Sequence, residues 1–133
     1  MILVDSSVWI DYFNNSQTPQ VEVLESLLGV APIAIGDLIL AEVLQGVRNQ
    51  KEYKRVRDAF DAFDHIDIAG RDIATKAALN CRLLRERGVT VRKTIDTIIA
   101  TKCIEEGISL LHDDADFAPF AQYLGLKLVF LPA

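Results

Sequence analysis

The 133-residue chain is half apolar and one quarter charged, with 19 acidic against 14 basic side chains and a net charge of −5. That length and composition predict a single domain over residues 1–133, able to bury a core without staples. No apolar run approaches the roughly 18 residues of a membrane span, MILVDSS lacks the basic flank of a signal peptide, and Cys81 and Cys103 stand apart with no CxxC pair or histidine cluster nearby, so the expectation is a cytoplasmic protein with reduced thiols, no structural zinc and no membrane contact.

Short apolar runs alternate with stretches of helical period, the pattern of an α/β chain with a parallel sheet. MILV reads as the first strand, ended by Asp5, and SSVWIDYFNN as a short helix capped by Ser6 or Ser7. Pro19 opens a second helix that runs to Gly29. APIAI is the second strand, and Gly36-Asp37 turns it into the apolar helix LILAEVLQGV. NQKEYKRVRDAFDAF is amphipathic, and HIDI a weak third strand. Gly70 or Asp72 opens a long helix closed by Gly88, and VTVRK is a loop or short extended piece. TIDTIIATKCIEEG is a helix with Thr94 as cap and Gly107 as stop; SLLH is the fourth strand, DFAPFAQYLG a short helix and LKLVFL the fifth strand.

The acids fall at informative places. Asp5 follows the first strand, and Asp113, Asp114 and Asp116 follow the fourth. Ligands of open α/β sheets bind beyond the carboxyl ends of the strands, so the two acidic turns share one crevice if strands one and four are neighbours. Glu42 and Asp96 sit on apolar helix faces, beside Leu38 and Ile39 in one case and Ile99, Ala100 and Cys103 in the other. A carboxylate pointing inward needs a partner or a proton; no Lys or Arg is expected beside either at i±3 or i±4, which leaves a tertiary partner as the other source of charge. Mg²⁺ or Mn²⁺ answers the whole set, because both favour carboxylate oxygens together with water and substrate phosphate. Such an arrangement suits a one- or two-metal site for phosphodiester hydrolysis by metal-activated water. Five carboxylates gathered on a metal would leave the remaining acidic and basic side chains equal in number, so the net charge does not exclude a nucleic-acid partner.

MILVDSSVWIDYF, LAEVLQG, TIDTIIATKCI and LLHDDADF, in this order and at these separations, resemble a PIN domain, and more narrowly the VapC toxins of bacterial toxin–antitoxin pairs. The resemblance covers essentially the whole chain. It implies a three-layer α/β/α sandwich with a parallel sheet of about five strands in the order 3-2-1-4-5. It also implies an Mg²⁺- or Mn²⁺-dependent endoribonuclease, inhibited by a VapB-type antitoxin and forming a homodimer. The family's acidic set falls on Asp5, Glu42, Asp96, Asp114 and Asp116, with Asp5, Asp96 and Asp114 as core ligands and Glu42 and Asp116 completing the site through water or a second metal. Many relatives carry Arg where this chain has Ala115, so a phosphate contact is expected to be missing there.

Other residues carry plainer expectations. Ser6 either caps the first helix or orients Asp5 or a water; a serine nucleophile would need a histidine base, and only His65 and His112 exist. Asp113 is expected to be solvated, Asp116 to double as a helix cap, His112 to be a hydrogen-bonded structural residue, and Trp9, Tyr12 and Phe13 to belong to the core or an interface. Of two basic runs, the one ending in Arg92 and Lys93 lies next to the Asp96 helix and is the better RNA contact. The alternative function is a non-catalytic PIN-like module that acts by holding a protein partner. A haloacid-dehalogenase-like phosphatase would need a paired DxD after the first strand, where this chain has VDSS, and a receiver-type domain fits no better.

Overall fold

The computed structural model describes residues 1–131. Four short strands, β1 (Ile2–Val4), β2 (Ile33–Gly36), β3 (Asp64–Ile66) and β4 (Ser109–Leu111), form one sheet in the order β3-β2-β1-β4. Every pairing is parallel, with Leu3 opposite Ala34 on one side and Leu110 on the other. The expected adjacency of the first and fourth strands is therefore real. The expected fifth strand is reduced to a single parallel bridge between Leu110 and Leu128 among the described residues, supported by Leu110 N–H donating to Lys127 O and Val129 N–H to Leu110 O. Its position beyond β4 matches the order expected, although its length does not.

The helices α1 (Ser6–Phe13), α2 (Pro19–Leu27), α3 (Asp37–Gln45) and α4 (Gln50–Phe60) connect strands stepping toward β3, whereas α5 (Arg71–Glu86) and α6 (Thr94–Glu106) carry the chain back across to β4. Right-handed crossovers in opposite directions place these two groups on opposite faces, which produces three layers. α7 (Ala118–Leu124) packs against α5. No described helix is long and apolar enough to cross a membrane. Apart from the exposed edge strand β3, the sheet is buried on both sides, and Leu3, Val4, Ala34, Ile35, Leu110 and Leu111 sit at its centre.

Capping chemistry sets the helix starts and corrects several expectations. Asp5, not Ser6 or Ser7, caps α1 by accepting from Ser7 N–H. Thr18 caps α2 with Pro19 in its first turn, as Pro19 predicted. Lys93 rather than Thr94 occupies the cap position of α6. Asp114 rather than Asp116 caps the short 3-10 turn Ala115–Phe117 that precedes α7. Gly107 ends α6 in the left-handed conformation at φ 66°, which costs a residue with Cβ more than glycine. At the β2–α3 junction a Cβ on Gly36 would lie 2.0 Å from Ile68 Cδ1, so glycine is what lets the chain after β3 close over β2.

Candidate metal centre

β1 leads the chain away to one side and β4 leads it to the other, so the gap beyond their carboxyl ends is the topological switch point of the sheet. Asp5 leaves β1 there, buried to 3 % exposure. Its Oδ2 accepts from Ser7 Oγ at 2.7 Å and Ser7 N at 3.1 Å. Its Oδ1 is buried without a hydrogen-bond partner. Ser7 Oγ in turn accepts from Asp113 N at 3.1 Å, so one hydroxyl ties the acidic turn after β1 to the turn after β4.

Asp96 enters from the first turn of α6, 6 % exposed, with Oδ2 making no hydrogen bond. Asp96, Asp114 and Asp116 each offer a carboxylate oxygen within 4.8 Å of the other two. Lys93 stands among them. Its Nζ lies 3.0 Å from Asp114 Oδ2, 3.4 Å from Asp116 Oδ2 and 3.9 Å from Asp96 Oδ2. The expectation that Asp96 lacks a cation on its own helix is thus corrected, because Lys93 precedes it by three residues and the cap position aims the side chain along that face. Asp114 Oδ1 is occupied in capping, accepting from Asp116 N at 2.9 Å.

Glu42 approaches from the middle of α3, half-buried, and accepts from Ser6 Oγ at 3.4 Å. The two serines after Asp5 therefore divide the work: Ser7 engages Asp5 and Ser6 reaches Glu42, where the sequence singled out Ser6 alone as an orienting residue. Burial, and then the charge of Asp5, raises Glu42 above the ordinary glutamate range. Burial likewise pushes Asp96 up to about 6, reinforced by Asp5, Asp114 and Glu42 and opposed by Lys93. Burial works against ionised Asp114 too, yet the Asp116 N–H and the Lys93 ammonium outweigh it and hold Asp114 below its usual range. Asp114 first, and then Asp96 and Asp116, hold Lys93 above the ordinary lysine range.

This donor set fits a hard divalent cation. Ligands at 2.0–2.1 Å in an octahedral shell place their oxygens about 3 to 4 Å apart, which the three aspartates reach by small side-chain adjustments. Asp5 Oδ1 and Asp96 Oδ2 make no hydrogen bond, and the only cation near the latter among the described residues is Lys93 at 3.9 Å, so both leave charge that such an ion would relieve. Asp5 and Glu42 act on Asp96 through their charge, and neither belongs to the three-aspartate group itself.

The lesser expectations resolve simply. Asp113 is exposed and accepts from Gln20 Nε2 at 3.2 Å. His112 Nδ1 accepts from Asp114 N at 3.1 Å, a structural hydrogen bond, and burial lowers its basicity despite the three neighbouring aspartates. Trp9 is fully buried in contact with the rings of Phe13, Phe60 and Phe63. With half-buried Tyr12 and Phe13 it lines a cleft of about 510 Å³ that contains none of the five acids. Arg92 is exposed and precedes Lys93 in the chain. Ser7, the residue missed in the sequence, carries a signal only in retrospect: a hydroxyl two residues after a capping aspartate.

Residues 2–122 match the model of the family described as PIN domain. Ribonuclease VapC11 of Mycobacterium tuberculosis is 29 % identical over 129 residues, covering 96 % of both chains. Ribonuclease VapC51 of the same species is 34 % identical over 123 residues, covering 92 % of this chain and 87 % of that one. Among solved structures, VapBC2 from Rickettsia felis bound to a DNA fragment from its promoter superimposes with a TM-score of 0.73 at 22 % identity, covering 97 % of this chain and 98 % of that one.

Proposed function

The chain belongs to the PIN domain family, and on that premise we propose that it is a metal-dependent endoribonuclease, the toxin of a toxin–antitoxin pair. The observation that carries this reading is the convergence of Asp96, Asp114 and Asp116 within 4.8 Å of one another at the switch point of the sheet. Relatives aligned along nearly the whole chain are named ribonucleases, which supports RNA as the substrate. Relatives solved as toxin–antitoxin complexes support a VapB-type antitoxin as the partner and a homodimer as the working assembly.

In this reading Asp96, Asp114 and Asp116 hold the cation, and Asp5 and Glu42 complete the acidic rim. The oxygen-only donor set favours Mg²⁺ or Mn²⁺. A divalent ion bound there supplies Lewis acidity to water and offsets charge on the scissile phosphate. Ser7 fixes Asp5 in orientation and leaves its Oδ1 as the unengaged oxygen. Ser6, at the start of α1, steadies Glu42 on α3. Arg92 and Lys93 present positive charge at the mouth of the site, where phosphates of single-stranded RNA would approach. Residues 1–133 act as one PIN-like unit, since the acids that form the site run from Asp5 to Asp116 along the chain, and the unit works in the cytoplasm.

Cleavage of purified total RNA with Mg²⁺, with Mn²⁺ and with EDTA tests the reading, on antitoxin-free protein and on Asp5→Asn and Asp96→Asn. Discrete fragments that need both metal and the two aspartates are expected. Folded protein that cleaves no RNA in either metal would favour the alternative, a module that acts by holding its partner.

A further inference from the structure

We propose that Lys93 is a built-in competitor of the catalytic metal, so that metal uptake exchanges one cation for another rather than filling a free carboxylate site. The inference rests on the metal-site reading above and concerns what opposes it. Lys93 Nζ approaches Asp114 Oδ2, Asp116 Oδ2 and Asp96 Oδ2 at 3.0, 3.4 and 3.9 Å. These belong to the same three residues whose oxygens converge within 4.8 Å.

The geometry makes the two cations exclusive. A divalent ion about 2 Å from these oxygens would lie close to an ammonium that stands 3.0–3.9 Å from them. Like charges at that spacing repel even where solvent partly screens them, and the two cations draw on the same carboxylate oxygens. The arrangement also differs from the chain's other ion pairs. Lys76 meets Glu105 and Arg55 meets Glu52, each one to one, whereas Lys93 meets three carboxylates from two elements.

The exchange is also easy. The backbone of Lys93 is fixed as the cap of α6, where its carbonyl accepts from Thr97 N and Thr97 Oγ. Its side chain is 56 % exposed, so the head can swing into water on four flexible carbons without disturbing the helix. Lys93 thereby keeps the clustered acids tolerable at low metal and raises the metal concentration at which the site fills.

Mn²⁺ binding to antitoxin-free full-length protein, followed by the electron paramagnetic resonance signal of free Mn²⁺, tests this directly. Lys93→Met is expected to bind Mn²⁺ about fivefold tighter than wild type, the scale of one exposed ion pair, and to melt at lower temperature in EDTA. Lys93→Arg, which keeps the charge, should retain wild-type affinity. Lys51→Gln, which removes a charge on α4, should also match wild type and so separates local competition from net charge. Equal or weaker binding by Lys93→Met, with wild type binding normally, would overturn the competition and leave the metal site standing. Absence of saturable Mn²⁺ binding in wild type and variants alike would overturn the metal site and this inference with it.

Discussion

Asp96 is under opposing demands from folding and from metal binding. Burial, and then the charges of Asp5, Asp114 and Glu42, pushes its carboxyl up to about 6 against the pull of Lys93. A carboxyl raised in the folded state contributes stability that is fully present below its unfolded value, 3.8, and is lost as pH rises through about 6. Metal binding has the opposite dependence, since the ligand must ionise, so Mn²⁺ affinity should increase as pH rises through the same range. Asp96→Asn keeps the shape and removes the charge. In EDTA at neutral pH this variant should be more stable than wild type by on the order of 1 kcal/mol, with a flatter stability profile between pH 4 and 6, while losing Mn²⁺ binding and cleavage. Melting curves across pH would decide the matter: a variant less stable than wild type at neutral pH would show that the ionised carboxylate is a net structural asset.

At the scale of elements, the site depends on how two strand ends are held together. β1 and β4 are each three residues long, so little of their alignment beyond the ladder is fixed by the sheet itself. Ser7 supplies the missing link, donating to Asp5 at 2.7 Å and accepting from Asp113 N at 3.1 Å. Ser7→Ala should therefore lower Mn²⁺ affinity and RNA cleavage about tenfold, the usual scale for a residue that acts on a metal site from behind its ligands, with the fold intact by circular dichroism. Wild-type affinity in that variant would make Asp5 self-positioned by its cap to α1. The strand-end acids were legible in the sequence because each interrupts or follows an apolar run, and Glu42 and Asp96 because each stands on an apolar helix face. Caps were less legible. Ser6, Ser7 and Thr94 are good cap types, but Asp5 and Lys93 hold those positions because the strand end and the preceding loop set where the helical hydrogen bonds begin. LKLVFL has the apolar run of a strand, yet only Leu128 bridges to Leu110, since pairing at a sheet edge is decided by the neighbour's length rather than by hydrophobicity. The contacts of Lys93 with the acids after β4 were illegible for a different reason, because they cross 21 residues of chain or more.

For the whole molecule, the central question is how a chain of net charge −5 engages a polyanion. Its acids are not evenly spread: Asp5, Glu42, Asp96, Asp114 and Asp116 gather at one end of the sheet, where their charge would repel RNA unless a cation offsets it. A divalent ion bound there would reverse part of that field locally, and the exposed Arg92, next to Lys93 in the chain, would add positive charge nearby. RNA affinity should accordingly depend on divalent metal even when cleavage is blocked, as in a substrate with a non-hydrolysable phosphate linkage. Arg92→Ala should weaken that binding across sequences alike and reduce the slope of log affinity against log salt by about 0.7, the loss of one phosphate contact on a single strand. Mn²⁺ binding should be unaffected, because Arg92 is outside the group of carboxylates that converge. An unchanged salt slope would remove Arg92 from the RNA surface and leave the cation-neutralised acidic crevice as the source of attraction, in which case affinity would track metal occupancy alone.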